Sequence, residues 1–337
     1  MKEMRAVHFT GKGNISLDEV PTPAPRGTEV LVRVRSASIC GTDRENLMGE
    51  GQKTVPGHEN AGVVHAVADA RTVHVGDRVA VNCHVTCGGC THCRNGDLYL
   101  CSELKVIGFD RDGGYADYVL VPEASCMPLP KSITLEQASL MVDMMGTPYR
   151  ALMRAKVAPG DSIAVWGAGP IGATLSMIAV RLGARVALLD TSGYRLKLSQ
   201  TLGPSLLLDP VKVAVPEALR DWTGGRGVTA AFDCVGKESV CLQAIASLAP
   251  RGTLVTVGVS RHLALDPWVH LICNELAILG TRNFNRNDFG DMVSLVEAGL
   301  PLLDVVTHRF PLACAEEAFS VFTGGDCGKV LITGDDA

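Results

Sequence analysis

The chain has 337 residues, 47% of them hydrophobic and 20% charged, with a net charge of −5. That length suits two domains, each able to bury a core, and the composition excludes a long disordered chain. Lysines and arginines are scattered and outnumbered by acids, 31 to 36, so neither nucleic acid nor an anionic membrane surface is an expected partner.

The opening residues, Met1-Lys2-Glu3-Met4-Arg5, run into a strand-like segment with no apolar signal core. A cytoplasmic setting is therefore expected, and in that setting 12 cysteines point to metal or redox chemistry before disulfides. Up to about residue 125 short stretches alternate apolar and polar residues, as in Val30–Arg35 and Ala61–Val67, between Gly-Asp and Pro turns. This pattern predicts a mainly β region of antiparallel strands.

That region carries two kinds of ligand signal. Cys40-Gly41-Thr42-Asp43 and Gly57-His58-Glu59, with Asp143 further on in Val142-Asp143-Met144-Met145, together offer a sulfur, an imidazole and a carboxylate. Such a set suits a catalytic zinc with one position left open. Cys87, Cys90, Cys93 and Cys101 form the second signal, a tight run of thiolates suited to a closed tetrahedral zinc. An iron–sulfur cluster or unconnected thiols are the alternatives at this spacing.

From about Thr134 helical stretches alternate with short apolar runs at Ser162–Trp166, Arg185–Leu189, Ser205–Leu208, Ala230–Phe232 and Thr253–Val257. The alternation predicts βαβ units in a Rossmann-like parallel sheet. Ser162–Val180 carries no charge, but Gly167, Gly169, Pro170 and Gly172 interrupt it, so a buried strand, turn and helix are expected and no membrane span. Gly167-Ala168-Gly169-Pro170-Ile171-Gly172 fits G-x-G-x-x-G between a strand and a helix, and Asp190 ends the next strand roughly 20 residues on. In that context the glycines admit a pyrophosphate at a helix N-terminus, and Asp190 favours a ribose with free hydroxyls, hence NAD over NADP. A helix at Asp288–Ala298 and a strand at Val330–Thr333 close the chain.

The segments Cys40–Asp43, Gly57–Gly62, Gly76–Val79, the four-cysteine lobe, Gly113–Tyr118 and Gly167–Gly172, in this order, resemble the zinc-dependent medium-chain dehydrogenases/reductases over essentially the whole length. Asp143-Met144-Met145-Gly146-Thr147-Pro148-Tyr149 resembles the branch acting on secondary alcohols. The resemblance implies an α/β fold: a GroES-like β-rich catalytic domain at 1–148 and 286–337, with a structural zinc lobe at 87–101, and a doubly wound Rossmann domain at 149–285. It implies two Zn²⁺ per chain, NAD in preference to NADP, and a homodimer or homotetramer.

By the same resemblance Cys40, His58 and Asp143 hold the catalytic zinc, Glu59 belongs to the same metal site, lying behind the ion and approaching it during ligand exchange, and Asp43 orients His58. Thr42 takes the alcohol proton while hydride passes between the carbinol carbon and the nicotinamide. Glu45 stands where many relatives carry a histidine, and is either a substitute relay end or a surface acid. Thr147, Val257, Gly258 and Val259 are expected beside the nicotinamide and its ribose, Val235 over the adenosine half, Arg195 near the adenine ribose, and Lys329 at the pyrophosphate. Cys83 is expected to line the substrate pocket, and Phe109, Asp110 and Arg111 form either its rim or a solvated turn.

The activity implied is interconversion of a secondary alcohol or polyol and its ketone, with a cyclitol, sugar or amino alcohol as the biosynthetic alternative. A zinc-free NADPH reductase is opposed by the ligand set and by Asp190. A non-catalytic zinc- and nucleotide-binding protein is opposed by the presence of Cys40, Thr42, His58 and Asp143 together.

Overall fold

The computed structural model describes residues 3–335. Met1, Lys2, Asp336 and Ala337, at the ends of the ranges expected above, lie outside the described residues. The chain divides into two compact units, Met1–Asp143 with Asn285–Ala298 and Val306–Ala337, and Met144–Phe284 with Gly299–Val305. Relative to the limits read from the sequence, the turn from Met144 and the segment Gly299–Val305 fall to the second unit. Leu302 and Val305 are buried, and their short helix contacts the helix Pro170–Arg181.

The first unit is organised around strand Glu29–Ser38 in a 7-stranded sheet. Its inward residues Val30, Val32 and Val34 alternate with Arg33 and Arg35, the period of a strand with one face in the core. Along one edge it pairs antiparallel with Asn60–Val67, and along the other with Tyr118–Pro122 and then Lys329–Thr333. Arg78–Val81 and Cys126–Pro128 extend the sheet on one side, and Val306–Pro311 on the other. The register sets Ala37 opposite Asn60 and Ser38 opposite Leu331. Three neighbouring strands therefore bring Cys40, His58-Glu59 and Lys329 to the same end of the sheet.

Helix Leu135–Leu140 begins with a capping box, in which Thr134 accepts from the Gln137 backbone and Gln137 from the Thr134 backbone. It runs into a π-helical turn at Met141–Met145, the wider kind of turn that re-aims a side chain, and Asp143 sits within it.

The second unit is a parallel sheet of 6 strands in the order Leu206–Leu208, Arg185–Leu189, Ser162–Trp166, Val228–Asp233, Leu248–Thr256, Ala277–Gly280. Numbered along the chain this is the doubly wound dinucleotide-binding order 3-2-1-4-5-6, with its switch point between the first and fourth strands. Every residue of Ser162–Trp166 is buried, and so is Gly172–Ala179 of the following helix. The uncharged run is thus a core strand and a core helix, and among the described residues no helix is long and apolar enough to cross a membrane.

Gly172 is where this helix meets the sheet. A Cβ there would lie 1.8 Å from the Gly167 carbonyl oxygen, and backbone cannot swing aside as a side chain can. Gly172→Ala is expected to destabilise the second unit by about 1–3 kcal/mol. A lower urea midpoint at unchanged slope checks this, and an unchanged midpoint contradicts it.

Candidate active site and metal centres

At the end of the first unit's sheet, ligand atoms of Cys40, His58, Glu59 and Asp143 all lie within 4.8 Å of one another. Asp143 Oδ2 is 3.4 Å from Cys40 Sγ and 3.6 Å from His58 Nε2. Donors bound at 2.0–2.3 Å around a tetrahedral ion stand about 3.3–3.8 Å apart. The sulfur, imidazole and carboxylate therefore fit zinc in both chemistry and spacing.

Behind them Asp43 is fully buried, with Oδ2 accepting from the Cys40 backbone N–H at 3.0 Å and from the Tyr115 hydroxyl at 2.6 Å. Its Oδ1 is 3.4 Å from His58 Nδ1, a charge contact longer than a full hydrogen bond. This leaves the orienting role expected for Asp43 with the right partner at a loose distance. Phe109 lies over the imidazole, with ring centroids 5.1 Å apart.

Burial pushes the Cys40 thiol above its ordinary value, and the negative charges of Asp143 and Glu59 push it further. Burial pulls His58 down, but Cys40, Asp43 and Asp143 outweigh it and raise the imidazole. Cys83 is also buried, which pushes its thiol up to about 12 and keeps it a neutral apolar wall. The Thr42 hydroxyl makes no helix-capping bond and points instead at Cys40 Sγ, 3.4 Å away. Glu45, one turn on, is exposed.

The Lys329 ammonium is buried and paired with Glu59, 2.8 Å from Oε1 and 2.7 Å from Oε2. Burial opposes that charge, yet Glu59 outweighs it and raises the amine. Ser38 donates its hydroxyl to Glu59 Oε2.

The second cluster is the lobe. Cys90–Cys93, Cys87–Cys101 and Cys87–Cys93 sulfurs are 3.4, 3.6 and 3.9 Å apart. Backbone N–H groups point at the sulfurs, from Cys93 to Cys90 and from Cys87 and Glu103 to Cys101. Donation from the Cys93 backbone lowers the Cys90 thiol to about 6, and donation from Cys87 lowers Cys101. The set fits zinc with all four positions filled, which leaves none for a reactant. Asn285 fastens the lobe by donating to the Asn95 carbonyl and to Asp97.

In the second unit the glycine loop and its partners gather at the carboxyl ends of the parallel strands, where such sheets bind nucleotides. Gly167 takes a φ of +96°, and its N–H donates to the Leu189 carbonyl. Gly169 precedes the helix with Pro170 and Ile171 in its first turn, and a Cβ there would meet only Arg195 Nη1, at 3.9 Å. The loop is thus open to a ligand beside Arg195. Asp190 is almost buried and accepts from the Ala168 and Ser192 backbone.

Val235 packs on Gly167, while Val257 and Gly258 donate to the Asp233 carbonyl. Val259 is exposed, and Thr147 is buried in the first turn of helix Gly146–Ala155. Asp233 was missed from the sequence. Fully buried, it holds Val235 and Gly236 through Oδ1 and the Cys241 thiol through Oδ2, and so shapes the loop over Gly167. Its position ending a strand was the available signal.

A parallel sheet with an open glycine loop and a mixed Cys-His-Asp ligand cluster define a metal-dependent oxidoreductase acting on CH–OH groups. Residues 26–131 match the model described as the alcohol dehydrogenase GroES-like domain, and residues 170–298 the model described as zinc-binding dehydrogenase. L-threonine 3-dehydrogenase from Symbiobacterium thermophilum is 32% identical over 346 residues, covering 98% of each chain. The enzyme of the same name from Idiomarina loihiensis is 30% identical over 348 residues, covering 99% of this chain and 100% of its own.

Among solved structures, an alcohol dehydrogenase from Thermus sp. ATN1 superposes with a TM-score of 0.92 at 28% identity, covering 98% of this chain and 100% of that one. The 2R,3R-butanediol dehydrogenase of Bacillus subtilis superposes at 0.89 with 26% identity, covering 98% and 99%. The chain belongs to the zinc-dependent medium-chain dehydrogenase/reductase family.

Because the Cys40 thiol is held high, it is protonated at neutral pH in the metal-free protein and must release its proton before the sulfur can ligate. Zinc affinity at this cluster is therefore expected to rise with pH through the neutral range and above it. Competition with a chromophoric chelator at several pH values checks the slope, and a flat profile contradicts it.

Proposed function

We propose that the protein interconverts a secondary alcohol or polyol and its ketone with NAD, using zinc at Cys40, His58 and Asp143. The observation that carries this reading is Asp143 Oδ2 lying 3.4 Å from the Cys40 sulfur and 3.6 Å from the His58 imidazole, with all three ligand atoms within 4.8 Å of one another. Bound zinc supplies a Lewis acid that stabilises negative charge on the substrate oxygen, and the nicotinamide supplies the hydride acceptor.

The chain's own residues do the rest. Thr42 Oγ1, beside Cys40, holds and passes the hydroxyl proton. Asp43 fixes the Cys40 backbone and faces His58, so ligand directions are set before substrate arrives. Cys83 and Phe109 keep water from the imidazole side. In the second unit Gly167, Gly169, Pro170, Ile171 and Gly172 receive the pyrophosphate on backbone N–H groups. Thr147, Val257, Gly258 and Val259 flank the nicotinamide, and Val235 and Arg195 the adenosine half. Asp190 would repel a 2′-phosphate.

A second reading, oxidation of a 3-hydroxy amino acid, is favoured by the full-length likeness to L-threonine 3-dehydrogenases. A panel of secondary alcohols, polyols and L-threonine, followed by NADH absorbance, separates the two.

Asp143→Ala is expected to lower turnover at least about a hundredfold and to take zinc from two per chain to one, the lobe ion remaining. Metal analysis beside the assay checks this, and retained turnover sinks the assignment. NAD is expected to be favoured over NADP by roughly tenfold or more, about 1.4 kcal/mol, with Asp190→Ser narrowing the ratio in kcat/KM.

We also propose a homodimer or homotetramer in a reducing, cytoplasmic setting. Strand Ala277–Gly280 ends its sheet, and Trp268, Val269 and Ile272 just before it are exposed, as an interface would require. Light scattering of the wild type and of Trp268→Glu tests this: a monomeric wild type, or an unaltered mass in the variant, counts against it.

A further inference from the structure

Among the described residues Lys329 is the one lysine or arginine that is buried, at 3% exposure. Strand register puts it there. Ile39 N–H donates to the Val330 carbonyl, and Ser38 N–H donates to the Glu59 carbonyl. The chain just before Cys40 is thereby clamped between the residue after Lys329 and Glu59. From this position the ammonium grips both oxygens of Glu59, at 2.8 and 2.7 Å. Glu59 itself has no exposure, and its carboxylate also lies within 4.8 Å of the ligand atoms of Cys40, His58 and Asp143. One buried carboxylate thus has two cations within reach, the ammonium and any metal held by its neighbours.

We propose that Lys329 is a positioning residue that holds Glu59 back from the metal, so that three protein ligands bind the ion and one position stays open for substrate. The inference rests on the metal reading given above. A carboxylate held at both oxygens by a buried ammonium loses that pair if it moves to a metal, and breaking a buried pair leaves an uncompensated charge. With the ammonium gone, the metal is the remaining cation that can compensate Glu59, and the carboxylate becomes its fourth protein ligand. Lys329 thus trades metal affinity for an open coordination position.

The test uses Co²⁺ in place of zinc in the full-length protein, because its visible bands shift when one ligand is exchanged for another. The four-cysteine lobe contributes the same bands to every variant. Lys329→Met is expected to bind Co²⁺ roughly tenfold more tightly, with shifted bands at the Cys40 cluster. Lys329→Arg keeps the wild-type spectrum, and adding Glu59→Gln to Lys329→Met restores it.

An unchanged affinity and spectrum in folded Lys329→Met overturns the proposal. Should that variant not fold, Glu59→Gln alone decides, since a carboxylate held off the metal can be neutralised without altering the spectrum. A changed spectrum there means that Glu59 ligates with Lys329 in place, and the proposal fails. A wild type that takes up Co²⁺ at the lobe alone removes the metal reading itself, and the proposal with it.

Discussion

Buried negative charge is the constraint around which the first unit is built. Cys40, Glu59 and Asp143 converge at one end of its sheet, with Asp43 immediately behind. Desolvated anions repel one another strongly, and a fold tolerates them only when cations and hydrogen bonds compensate. The protein supplies one buried ammonium, the Tyr115 and Ser38 hydroxyls and the Cys40 backbone N–H. With Cys40 as a thiolate, the four acidic groups exceed the single ammonium in charge, and a divalent ion offsets most of the remainder.

The second unit solves a different problem with neutral parts. The site proposed for the pyrophosphate is backbone: a glycine turn at positive φ, an open approach at Gly169, and a helix packed so closely that Gly172 admits no side chain. Two buried aspartates, Asp190 and Asp233, hold the flanking loops by accepting backbone N–H groups. They work here as scaffolding, each fixing the loop that follows its strand.

Local signals were readable from the sequence because their physics is local. The lobe cysteines, the glycine loop and the Cys40, His58 and Asp143 segments each declare themselves within a few residues. The parallel sheet followed from the rhythm of apolar runs. What escaped depends on strands pairing across long separations. Glu59 and Lys329 are 270 residues apart, and Asp43 and Tyr115 are 72 apart. No spacing rule links them, so the pairing of Lys329 with Glu59 beside the ligand cluster was not legible. Strands Val306–Pro311 and Ala277–Gly280 also went unread, being short segments at sheet edges whose pairing, more than their own pattern, makes them strands.

The return of the chain to its first sheet orders events during synthesis. The second unit is almost continuous in sequence and can close once its own strands have left the ribosome. The first unit cannot. Strand Lys329–Thr333 follows every other strand of its sheet in the sequence, and until it docks, Glu59 is an unneutralised carboxylate beside an unfinished sheet. The lobe waits as well, because Asn285, which ties down the Asn95 and Asp97 loop, is also made late. Both clusters are thus completed by segments that follow the second unit's strands in the sequence.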